Sequence, residues 1–384
     1  MAARRLTDAA LLERLVGFDT TSRLSNLPLV DFVADYLDRP GMAVERLPSP
    51  DGSKANLVAR IGPEPEGGAG LTLSGHTDVV PAEEPEWRSD PFRLTRSEET
   101  WTGRGAADMK GFLALAINRL ASASDELRHP LALLLTYDEE IGTIGARHFV
   151  EGGGAAVALP RDVVIGEPTS LKVVRLHKGM LRLQLAFRGR AAHSGYPHLG
   201  RNAIEPAARA ITALGDLRAA MEAERPPHGE HFPEVPYAAL NVGIVSGGSA
   251  ANVIPDRCTV QVGIRLLPGM SAGDMVERVR AAVAAALPGE SFELTAPGES
   301  PAMMLDDGAA IHRELRELLA QPGTGSVAFA TDAGWLQRAG FRCVIFGPGS
   351  IEVAHRPNEF LPIAEFERAG VLLDDLVRRR CLAP

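Results

Sequence analysis

Continuous apolar runs of strand length recur in this chain, and each ends close to an acid or a histidine. The clearest are LALLLTYD at 131–138 and DVVIGE at 162–167, and LTLSG at 71–75 is similar. A strand buried on both faces needs no polar alternation, which is typical of parallel sheets covered by helices. A helical pattern at 109–121 lies between two of the runs. The alternation predicts an α/β fold with a mainly parallel sheet between helical layers.

The pattern of residues changes near residue 175. Segments 181–190, 239–248 and 258–269 alternate apolar and polar residues, as half-exposed antiparallel strands do. Helices are predicted at 202–222 and 272–286. The order strand, helix, strand, strand, helix, strand is typical of a ferredoxin-like α+β unit.

Buried-strand and helix patterns return near the end of the chain, as in the apolar strand at 342–349. A chain of 384 residues also exceeds the size at which one core usually keeps growing. We therefore predict an α/β catalytic domain formed by 1–174 and 298–384, interrupted by an inserted ferredoxin-like domain at 175–297.

Composition excludes several classes of function. The net charge of −9 argues against nucleic acid as a partner, because that affinity depends on Lys and Arg neutralising phosphates. The chain has no run of the roughly 18 apolar residues that a membrane span requires, so we expect no membrane partner. Three scattered cysteines form neither a disulfide framework nor a Cys-x-x-Cys zinc site. The N-terminus lacks the apolar core of a secretion signal, so we expect a cytoplasmic protein.

In open α/β sheets, ligands bind beyond the carboxyl ends of the strands, where this chain places acids and histidines. His76 and Asp78 follow the first run, and their spacing of two points both side chains the same way. Glu139 and Glu140 follow the run at 131–138 and point to opposite faces, so one could bind a metal while the other acts as a base. Taken alone, each pair could equally be ordinary polar loop residues.

Three more residues occupy similar positions. Asp108 lies in GRGAADMKG, a glycine-rich loop that enters a helix and matches no phosphate-binding motif; it could simply cap that helix. Glu167 ends a buried strand in VIGEPT, and His355 lies in AHRPNE after a glycine turn.

The five candidate ligands comprise two imidazoles and three carboxylates, a donor set that suits zinc and its first-row neighbours. Five side chains exceed the three that one catalytic zinc normally uses. If one carboxylate bridges, the same five serve two metals with three ligands each. The set therefore favours a two-metal site formed by His76, Asp108, Glu140, Glu167 and His355.

The motifs GHTDVVP, GRGAADMKG, TYDEE, GEPT, AHSGYP and AHRPNE, in this order, resemble those of the M20 metallopeptidase family. The resemblance implies a zinc-peptidase-like catalytic domain with an inserted dimerisation or lid domain. The stretches GPGSIEVAHRPNEF and TYDEEIGTIGAR are most similar to the acetylornithine deacetylase branch. That branch often carries Thr-Glu-Ala-Gly where this chain has Thr331-Asp332-Ala333-Gly334, which leaves the substrate side chain open.

The resemblance also implies how the metals are shared. Asp108 would bridge two ions, His76 and Glu167 would complete one site, and Glu140 and His355 would complete the other. The ions would be zinc, with cobalt as a plausible substitute.

Catalytic roles follow from the same resemblance. Glu139 would be the general base that takes a proton from a metal-bound water and later returns it as an acid, and Asp78 would orient His76. His193, otherwise a turn histidine, would reach the active site of the partner in a homodimer and stabilise the oxyanion.

Substrate contacts are expected mainly from the inserted domain. Arg265 and Asn252 would hold the substrate carboxylate, although Arg265 could also be a plain surface arginine. Gly347, Gly349 and Ser350 would offer backbone contacts.

The expected reaction is removal of the acyl group from an N-acyl amino acid, namely N2-acetyl-L-ornithine to L-ornithine and acetate in arginine biosynthesis. The alternatives are desuccinylation of N-succinyl-diaminopimelate, deacylation of another N-acyl amino acid, or a silent relative that binds metal or an amino acid as a regulator. The loop at 224–236, with His228 and His231, is expected to be surface without an assigned role.

Overall fold

The structure, a computed structural model, describes residues 5–124, 126–154 and 157–382. These residues divide into two compact units. Unit 1 runs up to Arg175, resumes from Leu305 to Gly325, and continues from Thr331 onwards. Unit 2 comprises Leu176–Met304 and Ser326–Ala330.

Unit 1 is organised around a mixed sheet. Its centre consists of four mutually parallel strands, and the outer pairings are antiparallel. The central strands are β6 (Leu131–Thr136), β3 (Leu71–His76), β7 (Asp162–Ile165) and β17 (Arg342–Ile345). Every residue of β3, β6 and β7 is buried, as the uninterrupted apolar runs predict. The strand order is β1 (Met42–Pro48), β2 (Ala55–Ile61), β6, β3, β7, β17 and β8 (Val174–His177), and the last two residues of β8, Leu176 and His177, belong to unit 2.

Helices cover this sheet, and a small sheet accompanies it. Helix α1 begins at its Thr7 cap, whose hydroxyl accepts a hydrogen bond from Ala10 N at 3.2 Å. The helices are α1 (Asp8–Val16), α2 (Leu27–Leu37), α3 (Gly111–Ser122), α4 (Ile144–Glu151), α7 (Ala310–Leu319), α8 (Ala333–Arg338) and α9 (Ile363–Val377). The small sheet pairs β4 (Thr95–Arg96), β5 (Thr100–Thr102) and β18 (Phe360–Pro362), and β16 (Gly325–Val327) is a further short strand.

Unit 2 has the predicted ferredoxin-like order, with an antiparallel sheet arranged β11-β13-β9-β14. Its apolar face, which includes Leu183 and Val260, forms one core with both helices. The elements are β9 (Gly179–Arg188), α5 (Ile204–Ala223), β11 (Ala239–Gly247), β13 (Arg257–Leu266), α6 (Ala272–Ala286) and β14 (Glu293–Ser300). Shorter strands are β10 (Ala192–His193), β12 (Val253–Ile254) and β15 (Met303–Met304). The predicted fold class is confirmed for both units.

The sheet register of unit 1 determines where its polar side chains collect. His76 pairs with Thr136 at the carboxyl end of β3 and β6, and Ser74 pairs with Ile165 of β7. The residues that follow these strands therefore leave the sheet at one edge. None of the helices in the described ranges is long and apolar enough to span a membrane.

Candidate metal centre

His76 and Asp108 form the buried heart of the site. The Nε2 atom of His76 lies 3.0 Å from Asp108 Oδ1, and the two side chains are 1% and 5% exposed. On the other ring nitrogen, Nδ1 lies 2.9 Å from the backbone carbonyl oxygen of Asp78. If Nδ1 carries the proton, it donates to that carbonyl and leaves Nε2 free to bind a metal.

The loop that carries Asp108 packs tightly on the end of β3. A Cβ atom at Gly75 would lie 2.2 Å from Met109 Cε and 2.8 Å from Leu113 Cδ2, so these two side chains pack directly on the glycine. The loop enters through Gly105 at φ 76°, and Asp108 itself has non-helical torsions (φ −119°, ψ 89°). Asp108 is therefore held inside the loop and does not cap α3.

His355 completes a second arm of the same cluster. Its Nε2 atom lies 2.9 Å from Glu140 Oε2 and 3.4 Å from Asp108 Oδ2. The two oxygens of Asp108 therefore face two different histidines, which is the arrangement expected of a carboxylate that bridges two ions. The side chain of His355 is 50% exposed while that of Glu140 is 5% exposed, so this arm borders the open side of the cluster.

Asp78 contacts more than its predicted partner. Its carboxylate lies 3.7 Å from His76 Nδ1, and its shorter contacts lie elsewhere. It accepts hydrogen bonds from the backbone N–H groups of Glu139 at 3.0 Å and Glu140 at 3.3 Å, and from the hydroxyl of Ser22 at 2.7 Å. Asp78 therefore fixes the turn that presents the two glutamates, in addition to lying beside His76.

Burial and neighbouring carboxylates raise the pKa of three glutamates of the cluster, whereas hydrogen bonds to His355 and His76 lower the pKa of Asp108. Burial and the nearby Asp108 raise the pKa of Glu140 to about 7. Burial, together with Asp108, raises the pKa of Glu167 well above its usual range, and burial with Glu167 does the same for Glu139. Hydrogen bonds to Asp108 and Glu140 raise the pKa of His355 to about 10.

This electrostatic arrangement fits divalent cations. Ligand atoms of His76, Asp108 and Glu140 lie within 4.8 Å of one another, and Glu167 interacts electrostatically with all three. Several carboxylates cannot all ionise at such separations unless positive charge lies among them, and divalent cations would supply that charge. Imidazole and carboxylate together are donors that zinc and its first-row neighbours accept.

The candidate residues of unit 2 lie in two places. His193 in β10 is paired with Val253 of β12, and Ser194 N donates to Asn252 O at 3.0 Å, so His193 and Asn252 are neighbours. Both are exposed. Arg265 lies in β13, partly buried and apart from that pair.

The backbone of the predicted glycine turn is largely engaged within unit 1. Gly347 N donates to the Thr169 hydroxyl at 3.2 Å, and Gly349 N donates to Glu365 Oε2 at 2.8 Å. Ser350 forms an isolated bridge with Thr169. Gly347 thus ties the end of β17 to the segment after β7, and Gly349 is bound to α9 through Glu365.

Two buried acids near the site were not singled out as site residues by the sequence reasoning. Asp332 is 1% exposed and accepts a hydrogen bond from the Thr136 hydroxyl at 2.5 Å, and burial raises its pKa to about 6. Glu359, also 1% exposed, accepts hydrogen bonds from the Asp108 loop. Both lie in stretches that carry the family resemblance, so an acid within such a stretch was the available signal.

A second group of potential ligand atoms lies in unit 2. Atoms of His228, Glu230 and His231 also lie within 4.8 Å of one another, but Glu230 is exposed and the two histidines are only partly buried. The rings of His228 and His231 are stacked with centroids 6.2 Å apart.

Known proteins resemble this chain along nearly its whole length. The sequence model of peptidase family M20/M25/M40 matches residues 72–379. The acetylornithine deacetylase of Proteus mirabilis is 36% identical over 370 residues, covering 95% of this chain and 93% of that protein. The acetylornithine deacetylase of Myxococcus xanthus is 35% identical over 378 residues, covering 97% of each.

Solved structures share the fold at lower identity. An M20 family metallo-carboxypeptidase from Sulfolobus solfataricus superposes with a TM-score of 0.79 at 18% identity, over 97% of this chain and 99% of that one. A dinuclear metal binding peptidase of the same family from Bacillus subtilis gives 0.65 at 17% identity, over 96% and 97%. With the family model spanning most of the sequence and relatives at 35–36% identity covering nearly all of it, this chain belongs to peptidase family M20/M25/M40 and is a metal-dependent hydrolase of amide bonds.

Proposed function

We propose that the protein is a two-metal amidohydrolase that converts N2-acetyl-L-ornithine and water into L-ornithine and acetate, a reaction of arginine biosynthesis. The observation that carries the proposal is the buried cluster in which Asp108 faces both His76 and His355, with Glu139 beside it. The substrate is supported by relatives named acetylornithine deacetylase that match nearly the whole chain at 35–37% identity.

In this proposal Asp108 would be shared by two ions, His76 and Glu167 would complete one site, and Glu140 and His355 would complete the other. Two zinc ions, or cobalt in their place, would polarise the acyl carbonyl and lower the pKa of a water molecule. The protein's own task is to hold the five ligands in register. The hydrogen bond between His76 Nδ1 and the Asp78 carbonyl supports that task, because it fixes the ring orientation.

Glu139 is the proton carrier of the proposed reaction. Its carboxylate takes a proton from the attacking water as the carbon–oxygen bond forms, and it delivers that proton to the departing amine nitrogen as the carbon–nitrogen bond breaks. The water oxygen ends in the carboxyl group of acetate, whose remaining proton passes to the released amine or to solvent, and Glu139 returns to its ionised form. The bond from Glu139 N to Asp78 supports this role, because it anchors the backbone of the residue beside the cluster.

Unit 2 would supply the contacts that unit 1 lacks. We assign His193 to the oxyanion of the partner protomer's substrate, which makes the active enzyme a homodimer with unit 2 as its dimerisation and lid domain. Arg265 would hold the substrate carboxylate through its two-pronged guanidinium, with Asn252 beside it and Ser350 as the contact from unit 1.

The shorter acid Asp332 leaves a second substrate open. Its carboxylate is buried: Oδ2 accepts a hydrogen bond from Thr136, while Oδ1 has no hydrogen-bond partner within the described part of the chain. Succinyl-diaminopimelate or another acyl amino acid therefore remains an alternative to be decided by assay.

The test is hydrolysis of acetylornithine, acetylcitrulline, acetylmethionine and succinyl-diaminopimelate by the full chain before and after chelation. We expect acetylornithine to have the highest kcat/KM, chelation to abolish turnover, and zinc or cobalt to restore it. Preference for succinyl-diaminopimelate would replace the substrate. Activity indifferent to chelators would overturn the two-metal mechanism, and zinc binding without turnover of any substrate would favour a binding protein.

A further inference from the structure

Both carboxylate oxygens of Glu359 accept hydrogen bonds from the loop that carries Asp108. Its Oε1 atom accepts hydrogen bonds from the backbone N–H groups of Ala107 at 2.9 Å and Asp108 at 3.0 Å. Its Oε2 atom accepts from Gly105 N at 3.0 Å and from Arg104 Nη1 at 2.8 Å. Four donors from five consecutive residues therefore converge on one side chain that is 1% exposed.

Arg104 fixes Glu359 from the other side. Its guanidinium is also 1% exposed, donates to Pro81 O at 3.1 Å and Arg356 O at 3.3 Å, and lies 5.1 Å from the centre of the Trp87 ring. The ion pair consequently ties together the segment after β3, the Asp108 loop, and the stretch that follows His355.

The loop also makes contacts of its own, because Lys110 N donates to Gly105 O at 2.7 Å and Met109 packs on Gly75. Asp108 itself departs from helical torsions. Its own N–H is bound by Glu359, three residues after Arg356 and four after His355. The buried carboxylate of Glu359 therefore fixes the backbone of Asp108, one candidate ligand. Glu359 also belongs to the same short stretch as His355, a second candidate ligand.

We propose that Glu359 is a positioning residue for the metal centre: the Glu359–Arg104 pair holds the Asp108 and His355 loops at the separation that tight metal binding requires. The inference rests on the proposed two-metal function but concerns metal affinity, which can be measured without turnover. Glu359 touches neither the metals nor the substrate in this account. It acts on them through the backbone of the Asp108 loop.

The test compares the zinc affinity of the metal-free full chain with that of Glu359→Gln and Glu359→Asp, by calorimetry and by competition with a chelator. Glutamine keeps the shape but places an NH₂ group against the N–H of Gly105 and the guanidinium of Arg104. Aspartate keeps the charge and shortens the reach. We expect both variants to lose about 10–100-fold in zinc affinity, as changes behind a metal ligand commonly do.

Asp162→Asn is the matched control. Asp162 is also a buried carboxylate held by arginines, with Arg380 Nη1 at 2.8 Å, but it lies at the amino end of β7 and so at the opposite edge of the sheet. We expect this variant to bind zinc within about twofold of the parent, even if its melting temperature falls.

A Glu359 variant that folds and binds zinc within twofold of the parent would overturn the proposal. So would an Asp162→Asn variant that loses as much affinity as the Glu359 variants, since the effect would then be general destabilisation. If Glu359→Gln does not fold, Glu359→Asp decides by the same criterion. A parent that binds zinc but does not hydrolyse acetylornithine refutes the proposed substrate alone, and a parent that binds no zinc refutes both.

Discussion

The candidate residues of the two units differ in whether they already contact one another. In unit 1, His76, Asp108, Glu140 and His355 already contact one another within a buried cluster. In unit 2, His193 is exposed, and its Nδ1 atom accepts a hydrogen bond from Gly195 N at 3.0 Å. The first group is assembled by its own unit.

This difference separates two kinds of functional residue. Residues that bind a metal need one another, so a sheet edge that collects them produces the site without further partners. Residues that contact a substrate or a second protomer need only be exposed on the surface, because their partner is the substrate or the second protomer itself. We therefore expect changes in the proposed ligands of unit 1 to alter metal content, and changes in the proposed substrate contacts of unit 2 to alter kcat or KM at full metal content.

The sharpest test within unit 1 uses its two adjacent glutamates. Glu139→Gln removes the proton carrier but keeps the backbone bond to Asp78, so we expect kcat to fall by about 10²–10⁴-fold at unchanged metal content. Glu140→Gln, one residue away, should instead weaken metal binding because it alters a ligand that faces His355. Turnover and metal analysis of both purified proteins measure the contrast.

A Glu139→Gln enzyme with activity within tenfold of the parent would remove Glu139 from the mechanism. Equal metal loss in both variants would show that the two glutamates do not divide the work, and unit 1 would then contain ligands only.

The sequence predicted the unit 1 cluster better than the details that hold it. The carboxyl ends of buried strands are visible in the pattern, so His76, Glu140 and Glu167 could be placed at one edge from sequence alone. Glu359 could not, because its partners are backbone N–H groups whose direction depends on the torsions of the Asp108 loop.

Asp78 shows the same limit. Its spacing from His76 predicted a contact with the imidazole, yet its two backbone partners come from residues more than sixty positions later, at Glu139 and Glu140. Which donors meet a carboxylate after folding depends on strand register, since β3 and β6 must align before the turn at 139 reaches Asp78.

On the side of unit 2, the largest effect is expected at His193. Losing one donor to an oxyanion typically costs about 10²–10³-fold in kcat, and we expect that loss for His193→Ala with full metal content. The matched control is His198→Ala, another exposed histidine of the same segment, which should keep parental kcat. Reduced metal content in the His193 variant would break the distinction between the units.

Mixed dimers test whether His193 acts on the partner protomer. When Glu139→Gln and His193→Ala subunits are combined, one of the two active sites in a mixed dimer has both residues intact if His193 crosses over. Activity should then exceed that of either variant alone. No recovery in dimers whose mixing is verified by mass would place His193 in its own protomer or outside catalysis.

A smaller effect is expected at Arg265. Lysine preserves the charge but loses the fork that grips a carboxylate, so Arg265→Lys should lower kcat/KM by about 10–100-fold, mainly through KM. Arg257→Lys, at an exposed position of the same strand, should change neither constant. Equal kinetics for both variants would leave Arg265 as a surface residue and remove unit 2 from recognition of the substrate carboxylate.

The smallest expected effect concerns stability and contrasts histidines of the two units. In unit 1, contacts with carboxylates raise the pKa of His355 to about 10. In unit 2, burial lowers the pKa of His177 to about 4, from 6.5. His177 is 0% exposed, its Nδ1 lies 2.9 Å from Lys178 O, and within the described part of the chain its Nε2 has no hydrogen-bond partner.

Because the unfolded chain binds this proton more readily than the folded one, His177 should cost stability as pH falls from 6.5 towards 4, and nothing further below that. His177→Asn can keep the donor to Lys178 O but cannot take up a proton. The melting temperature of the metal-free parent minus that of the variant should therefore decrease by several degrees across this window. Metal-free protein is used so that ligand protonation in unit 1 cancels in the difference. A melting-temperature difference that does not change with pH would show that His177 has the same pKa in the folded and unfolded states. Burial would then not explain a difference in pKa between His177 and His355.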